Sequence, residues 1–158
     1  MLDQLMNPSF AADPPVKLNV PAKTLGLILA ILGAIGAFFG ILGVFALLGL
    51  SALAAATGGI FVLALVGVII SEIGTIVGAW GGYQMYQEKR EGKKYAIYGV
   101  LLSVVGGLIA AIGGSGGLVG WVISSLISFC IYYLIVISRF PGEAPLVATT
   151  TTPPPSMP

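Results

Sequence analysis

Histidine is absent from this chain of 158 residues, cysteine occurs once, and charged residues make up only 8% of it. Without histidine there is no Ser-His or Cys-His pair for nucleophilic catalysis and no usual ligand for haem, copper or zinc. The lone Cys130 gives neither a disulfide framework nor a metal-ligand cluster. A phosphate-binding loop is missing too: the glycines sit inside hydrophobic runs, not between a strand and a helix with a following Lys-Ser or Lys-Thr. No catalytic, cofactor-binding or metal-binding residue is therefore assigned, and the chain is not expected to be an enzyme. A net charge of +1 gives no reason to expect nucleic acid as a partner.

What the chain has in quantity is apolar length. It is 57% hydrophobic, more than a soluble domain of this size can bury behind a polar surface. The apolar runs are Thr24 to Leu50, Gly59 to Tyr83, Tyr95 to Ile112 and Leu118 to Ser138. Each reaches the ~18 to 25 residues that a helix needs to cross about 30 Å of hydrocarbon. Stretches such as Ile60-Phe61-Val62-Leu63 are apolar on every side, which excludes the alternation of a β-barrel strand. The first run starts late, is too long for a signal-peptide core and follows Asp3 and Asp13, so no cleavage is expected. The predicted fold class is all-α, an integral membrane bundle of four transmembrane helices.

The cations set the predicted sidedness. Lys17 and Lys23 precede the first run, Lys89, Arg90, Lys93 and Lys94 lie between the second and third, and Arg139 follows the fourth. The connections Ser51 to Gly58 and Gly113 to Gly117 carry no charge. By the positive-inside rule both termini and the Gln87 to Lys94 loop are cytoplasmic, with Tyr83, Tyr86, Tyr95 and Tyr98 as an interfacial belt and Trp121 near the opposite end. The basic loop is read as a topology signal ahead of a lipid-headgroup site, with Gly92 as the stop for helix 2.

Three segments result: an extended Pro-rich N-terminal stretch over 1–23, the transmembrane domain over 24–140, and a Thr/Pro-rich tail over 141–158. The closing Pro155-Ser156-Met157-Pro158 fits P-x-x-P, a pattern that a Pro-rich tail meets readily by chance.

Small residues recur at helical spacing. Helix 2 carries Gly67, Ser71, Gly74, Gly78 and Gly82, and helix 3 carries Gly99, Ser103, Gly107 and Ala111 beside a second row of Gly106, Ala110 and Gly114. Helix 4 has Gly117, Gly120, Ser124 and Ser128, and helix 1 has Gly26, Ala30, Gly33, Ala37 and Gly40 at alternating spacings of four and three. Because lipid tails are as apolar as Leu, membrane helices gain by close backbone approach, which such rows permit. Either all these faces are consumed inside one bundle, or helix 3 keeps one of its two rows for another subunit.

One residue breaks the pattern. Glu72 lies about halfway along helix 2, roughly 20 Å from the uncharged end, where an ionised carboxylate costs a few kcal/mol or more. A neutral carboxyl that donates a hydrogen bond suits that depth better than a bare anion. Ser103, Ser128 and Tyr132 lie at comparable levels, so Glu72 is expected to face helix 3, helix 4 or a partner subunit. Its face of helix 2 carries Leu65, Ile69 and Ile76.

An embedded Glu on a glycine-rich helix resembles the proton-carrying subunit of rotary ATPase rings in that pairing alone; those subunits are helical hairpins, and no family is assigned. The Gly81-Gly82-Tyr83-Gln84-Met85-Tyr86 run and the basic turn before a Gly-rich third span look like those of many small four-span bacterial membrane proteins, which implies the inner (cell) membrane. The expected function is that of a non-catalytic accessory or scaffold subunit, with the lipid bilayer and other membrane subunits or further copies as partners. The alternative is a small oligomeric proton or ion conductor that uses Glu72.

Overall fold

The computed structural model describes residues 8, 18–54, 60–114 and 117–143. Most of both tails, the Pro-rich motif and residues 55–58 of the connection from Ser51 to Gly58 lie outside the described residues. Four helices follow one another: α1 over Ala22–Ala54, α2 over Ile60–Tyr86, α3 over Glu91–Ile112 and α4 over Gly117–Ile137. Each is long and apolar enough to cross a membrane, as the sequence predicts, and no strand occurs among the described residues. Large apolar side chains face outward along all four, including Phe38, Phe39, Phe45, Val119 and Phe129, the surface expected of a multi-pass membrane protein.

The centre of the bundle is the antiparallel pair α2 and α3. Their contact has seven levels: Ala64 meets Gly113, Gly67 meets Ala110, Ser71 meets Gly106, Gly74 meets Ser103, Gly78 meets Gly99, Gly81 meets Ala96 and Met85 meets Gly92. Along both helices these positions alternate in steps of three and four, which keeps them on one narrow line. Every level has a glycine on at least one side. The hydrogen that replaces the side chain points at the facing backbone, and the arrangement is reciprocal: Gly67 and Gly106, Gly74 and Gly99, and Gly81 and Gly92 each face the other's carbonyl oxygen. Such Cα–H···O contacts contribute perhaps 0.5–1 kcal/mol each.

α1 packs on the adjacent line of α2. Gly26 lies against Gly82 and the backbone of Tyr86, Gly33 against Ala79, Gly36 against Thr75 and Gly40 against Glu72. α4 packs more sparsely on α3. The ends of all four helices meet in a cluster of Ala22, Leu25, Met85, Ala96, Ile97, Ile135, Val136 and Phe140. There a parallel bridge joins the entry to α1 and the exit from α4: Ala22 N–H donates to the Arg139 carbonyl at 2.7 Å, and Arg139 N–H to that of Val20 at 2.9 Å.

Every charged residue described, Glu72 excepted, belongs to this end. The basic connection is shorter than expected, because α3 begins at Glu91 and only residues 87–90 turn. Gly92 is not the stop for α2. It is buried in the first turn of α3, where a Cβ would strike the backbone of Met85, and Glu88 adopts the left-handed conformation instead, at φ 62°. Lys89 N–H reaches the Gln84 carbonyl at 2.9 Å and Glu88 N–H that of Met85 at 3.0 Å, closing the helix in a Schellman motif. A non-glycine residue there costs about 1–2 kcal/mol, and Glu88 meets Lys23 of α1 at 3.2 Å.

Gly78 and Gly106 occupy the same contact but differ in the space they leave. A Cβ at Gly78 would sit 3.7 Å from Gly99 Cα, ordinary contact, whereas one at Gly106 would drive into the backbone of Ser71. Gly106→Ala is expected to destabilise the bundle by about 1–3 kcal/mol and Gly78→Ala by less than about 0.5 kcal/mol, measured by unfolding in mixed detergent micelles. Equal losses at the two positions would contradict the register.

Candidate functional site

Glu72 lies in the contact between α1 and α2, not toward α3 or α4 as its depth alone suggested. Its carboxyl group occupies the space that a Cβ on Gly40 would need. The reason is angular: positions 72, 75, 79, 82 and 86 form the line of α2 that meets α1, while Ser71, one residue and about 100° away, belongs to the line that meets α3. Glu72 Oε1 is buried and has no hydrogen-bond partner among the described residues. Ile69 and Ile76, on the shoulder of that line, are exposed to the lipid side.

Ser103 lies one layer over, against α2. Its hydroxyl donates to the Ser71 carbonyl at 3.3 Å, and Ser71 returns the contact to the Ser103 carbonyl at 3.4 Å. Thr75 donates to the Ser71 carbonyl at 3.1 Å. Ser103 and Ser128, paired in the sequence argument by depth, do come together: both line a recess of about 370 Å³ between α4 and the α2–α3 pair. Tyr132 lines a different, almost wholly apolar groove with Val100, Leu101 and Phe129. Glu72 and the three residues grouped with it at one depth thus divide among three places, with Ser128 shared between the recess and the groove of Tyr132.

The predicted packing rows divide likewise. Gly67, Ser71, Gly74, Gly78, Gly99 and Ser103 lie on the α2–α3 line, but Gly82 faces Ala30 and Gly26 of α1, and Gly107 faces the indole of Trp121 at 3.3 Å. Ala111 is buried and lines the recess beside α4. Gly106 and Ala110, the second row of α3, continue the contact with α2. Gly114, the last of that row, has open space where a Cβ would stand, so the second row is occupied within the chain only at Gly106 and Ala110. Trp121, expected as an interfacial anchor, donates its indole N–H inward to the Val104 carbonyl at 3.0 Å.

Sequence reasoning missed Lys93. Its ammonium group donates to the carbonyls of Ser138 at 2.6 Å and Val136 at 3.2 Å, capping the end of α4, and lies 5.9 Å from the centre of the Phe140 ring. Its position in a basic run masks that role. Among the described residues no three His, Cys, Asp or Glu side chains converge in a way that holds a metal.

Comparison with protein-family models, with curated proteins and with solved structures returns no match to this chain.

Because Glu72 fills the space opposite Gly40, the two positions are coupled. Gly40→Ala is expected to be destabilising alone and close to neutral when combined with Glu72→Ala, with a coupling of about 1 kcal/mol in a double-mutant cycle of detergent unfolding. Additive effects would place the carboxyl group elsewhere.

Proposed function

We propose that this chain is a non-catalytic integral membrane protein, an accessory or scaffold subunit that packs within a larger membrane complex. The observation that carries this is the uncharged half of α1. Beyond Glu72 the helix continues to Ala54, Gly43 and Gly49 have open space where a side chain would stand, and Phe38, Phe39 and Phe45 project from it. A helix half with vacant small-residue positions offers close backbone approach to a helix of another subunit. In mild detergent the protein is expected to elute with a stoichiometric partner or as a defined oligomer. Gly43→Leu should reduce that assembly several-fold while leaving monomer stability unchanged, since no described residue comes within 4 Å of a Cβ there. A wild-type protein that is monomeric and free of partners argues against the proposal.

A second reading, a small proton or ion conductor, is favoured by one observation, the buried and unpartnered Oε1 of Glu72. Proton flux into liposomes separates the two. Glu72→Gln leaves assembly intact under either reading and abolishes flux only under the second.

The proposed location is a bacterial inner membrane with the charged end in the cytoplasm. The two outer connections at Thr57 and Ser115 lie outside the described residues, and Gly92 is too tightly packed to carry a label, so exposed positions serve better. In a Cys130→Ala background, Leu118→Cys should be labelled from outside intact cells by an impermeant thiol reagent and Gln87→Cys only after lysis. The opposite result inverts the orientation.

A further inference from the structure

The recess beside α4 is more polar than its depth in a bilayer accounts for. It begins at Ala110, Ala111 and Gly117 near the uncharged helix ends and reaches Ser103 and Ser128 near mid-depth. Ser71, Ser103, Ser124, Ser125 and Ser128 are among its lining residues. A serine in a membrane helix commonly bonds back to its own helix, but Ser125 Oγ is buried and has no hydrogen-bond partner among the described residues. That oxygen is closed off from the recess; at the wall itself Ser124 is exposed, and hydrocarbon there would offer its hydroxyl no partner, at a cost of about 1–3 kcal/mol.

Below Ser103 and Ser128 the space continues as a smaller cavity of about 230 Å³ lined by Leu29, Leu32, Val100, Ile131 and Ile135. The buried cluster of Leu25, Met85, Ile97 and Ile135 then closes the bundle at the charged end. The recess is thus polar toward one side of the membrane and blocked toward the other. No charged side chain lines it, since Glu72 stands on the α1 side of α2. An ion entering would find no counter-charge in a medium of low dielectric, whereas a hydroxyl or amide finds groups that both donate and accept.

We propose that this recess is a water-filled, one-ended site that opens on the membrane face opposite the charged turn and takes small uncharged hydrogen-bonding solutes such as glycerol. Its volume holds on the order of ten water molecules at ~30 Å³ each, which bond to one another and to the hydroxyls at the wall to reach the two to four partners that each ordered water needs.

Thiol chemistry reads this directly, because methanethiosulfonates react with the thiolate, which forms where water reaches the sulfur. In full-length Cys130→Ala protein reconstituted in sealed vesicles, Ser124→Cys and Ser128→Cys line the recess, while Ile123→Cys and Ile127→Cys lie on the exposed lipid-side surface. A small neutral hydrophilic methanethiosulfonate applied at the uncharged face is expected to label the first pair on the order of 100-fold faster than the second, the suppression of thiolate that burial in an apolar medium brings. Uniformly slow labelling at all four sites means that hydrocarbon fills the recess and overturns the proposal, as does equal labelling of Ser128→Cys from the charged face. Glycerol should slow labelling of Ser124→Cys, while raffinose at the same osmolality should not. Equal slowing by both, or by neither, overturns the assignment of solute. Serine to cysteine changes one atom, and a matched unfolding midpoint for each variant separates a closed recess from a misfolded protein.

Discussion

The glycine at every level of the α2–α3 contact is the constraint from which the remainder of the bundle follows. In a bilayer, helices gain nothing by hiding apolar side chains from lipid, so association rests on dispersion, weak Cα–H···O contacts and interhelical hydrogen bonds. Those terms fall off steeply with distance. A glycine on at least one side of each of seven successive levels brings the two backbones into contact over the full span, from Ala64 and Gly113 to Met85 and Gly92. α2 then has one more line of small residues to offer, displaced by a single position, and α1 takes it with Gly26, Gly33, Gly36 and Gly40. The small residues of α4, Gly117, Gly120, Ser124 and Ser128, line the recess and do not close on α3. Trp121 spans to Val104 where a closer helix would have packed, and the recess is the space that remains.

How much of this the sequence discloses depends on whether the signal is local. The four spans are legible from apolar length alone. The alternation of four and three at Gly26, Ala30, Gly33, Ala37 and Gly40 already draws the face of α1 that meets α2, because the glycines themselves carry the period. On α2 and α3, small residues are so frequent that several rows can be drawn, and a row of constant four-residue steps advances about 40° per step. Such a row wanders off the contact, which is why Gly82 turns to α1 and Gly107 and Ala111 to the side of α4. A row alternating three and four stays in line. The depth of Glu72 was legible for the same local reason. Its neighbour was not: the side of α2 that α1 occupies is set by how the helices pack around α2, which no spacing within α2 encodes.

The charged end works differently from the membrane-spanning part. Four helix termini converge there with directional bonds: the Ala22 and Arg139 backbone pair, the Schellman closure at Glu88, and Lys93 reaching across to the last carbonyls of α4. A cation that donates to two carbonyls at the end of a helix satisfies groups that would otherwise need water, and it opposes the negative end of the helix dipole. Lys93, in the first turn of α3, therefore has a structural role of its own. It fixes where α4 ends relative to where α3 begins, at the end where Ile135, Val136 and Ile137 of α4 are buried.

Glu72 and the serine recess stand on different sides of α2, with the Ser71 backbone between them. Ser71 is in the α3 line and exchanges hydrogen bonds with Ser103 at the wall of the recess, while the next residue turns its carboxyl group to Gly40. Water that fills the recess thus reaches the hydroxyl ladder without lining the carboxyl group. A proton on Glu72 would have to exchange along the α1 side, where Ile69 and Ile76 face lipid and Gly40 alone makes room. The geometry separates a neutral polar site from the carboxyl group of Glu72. A carboxyl group accommodated by a glycine on the facing helix fixes the register of α1 on α2 whether or not it ever exchanges its proton, because a shift of α1 by one position would set Phe39 or Ile41 where Gly40 now stands.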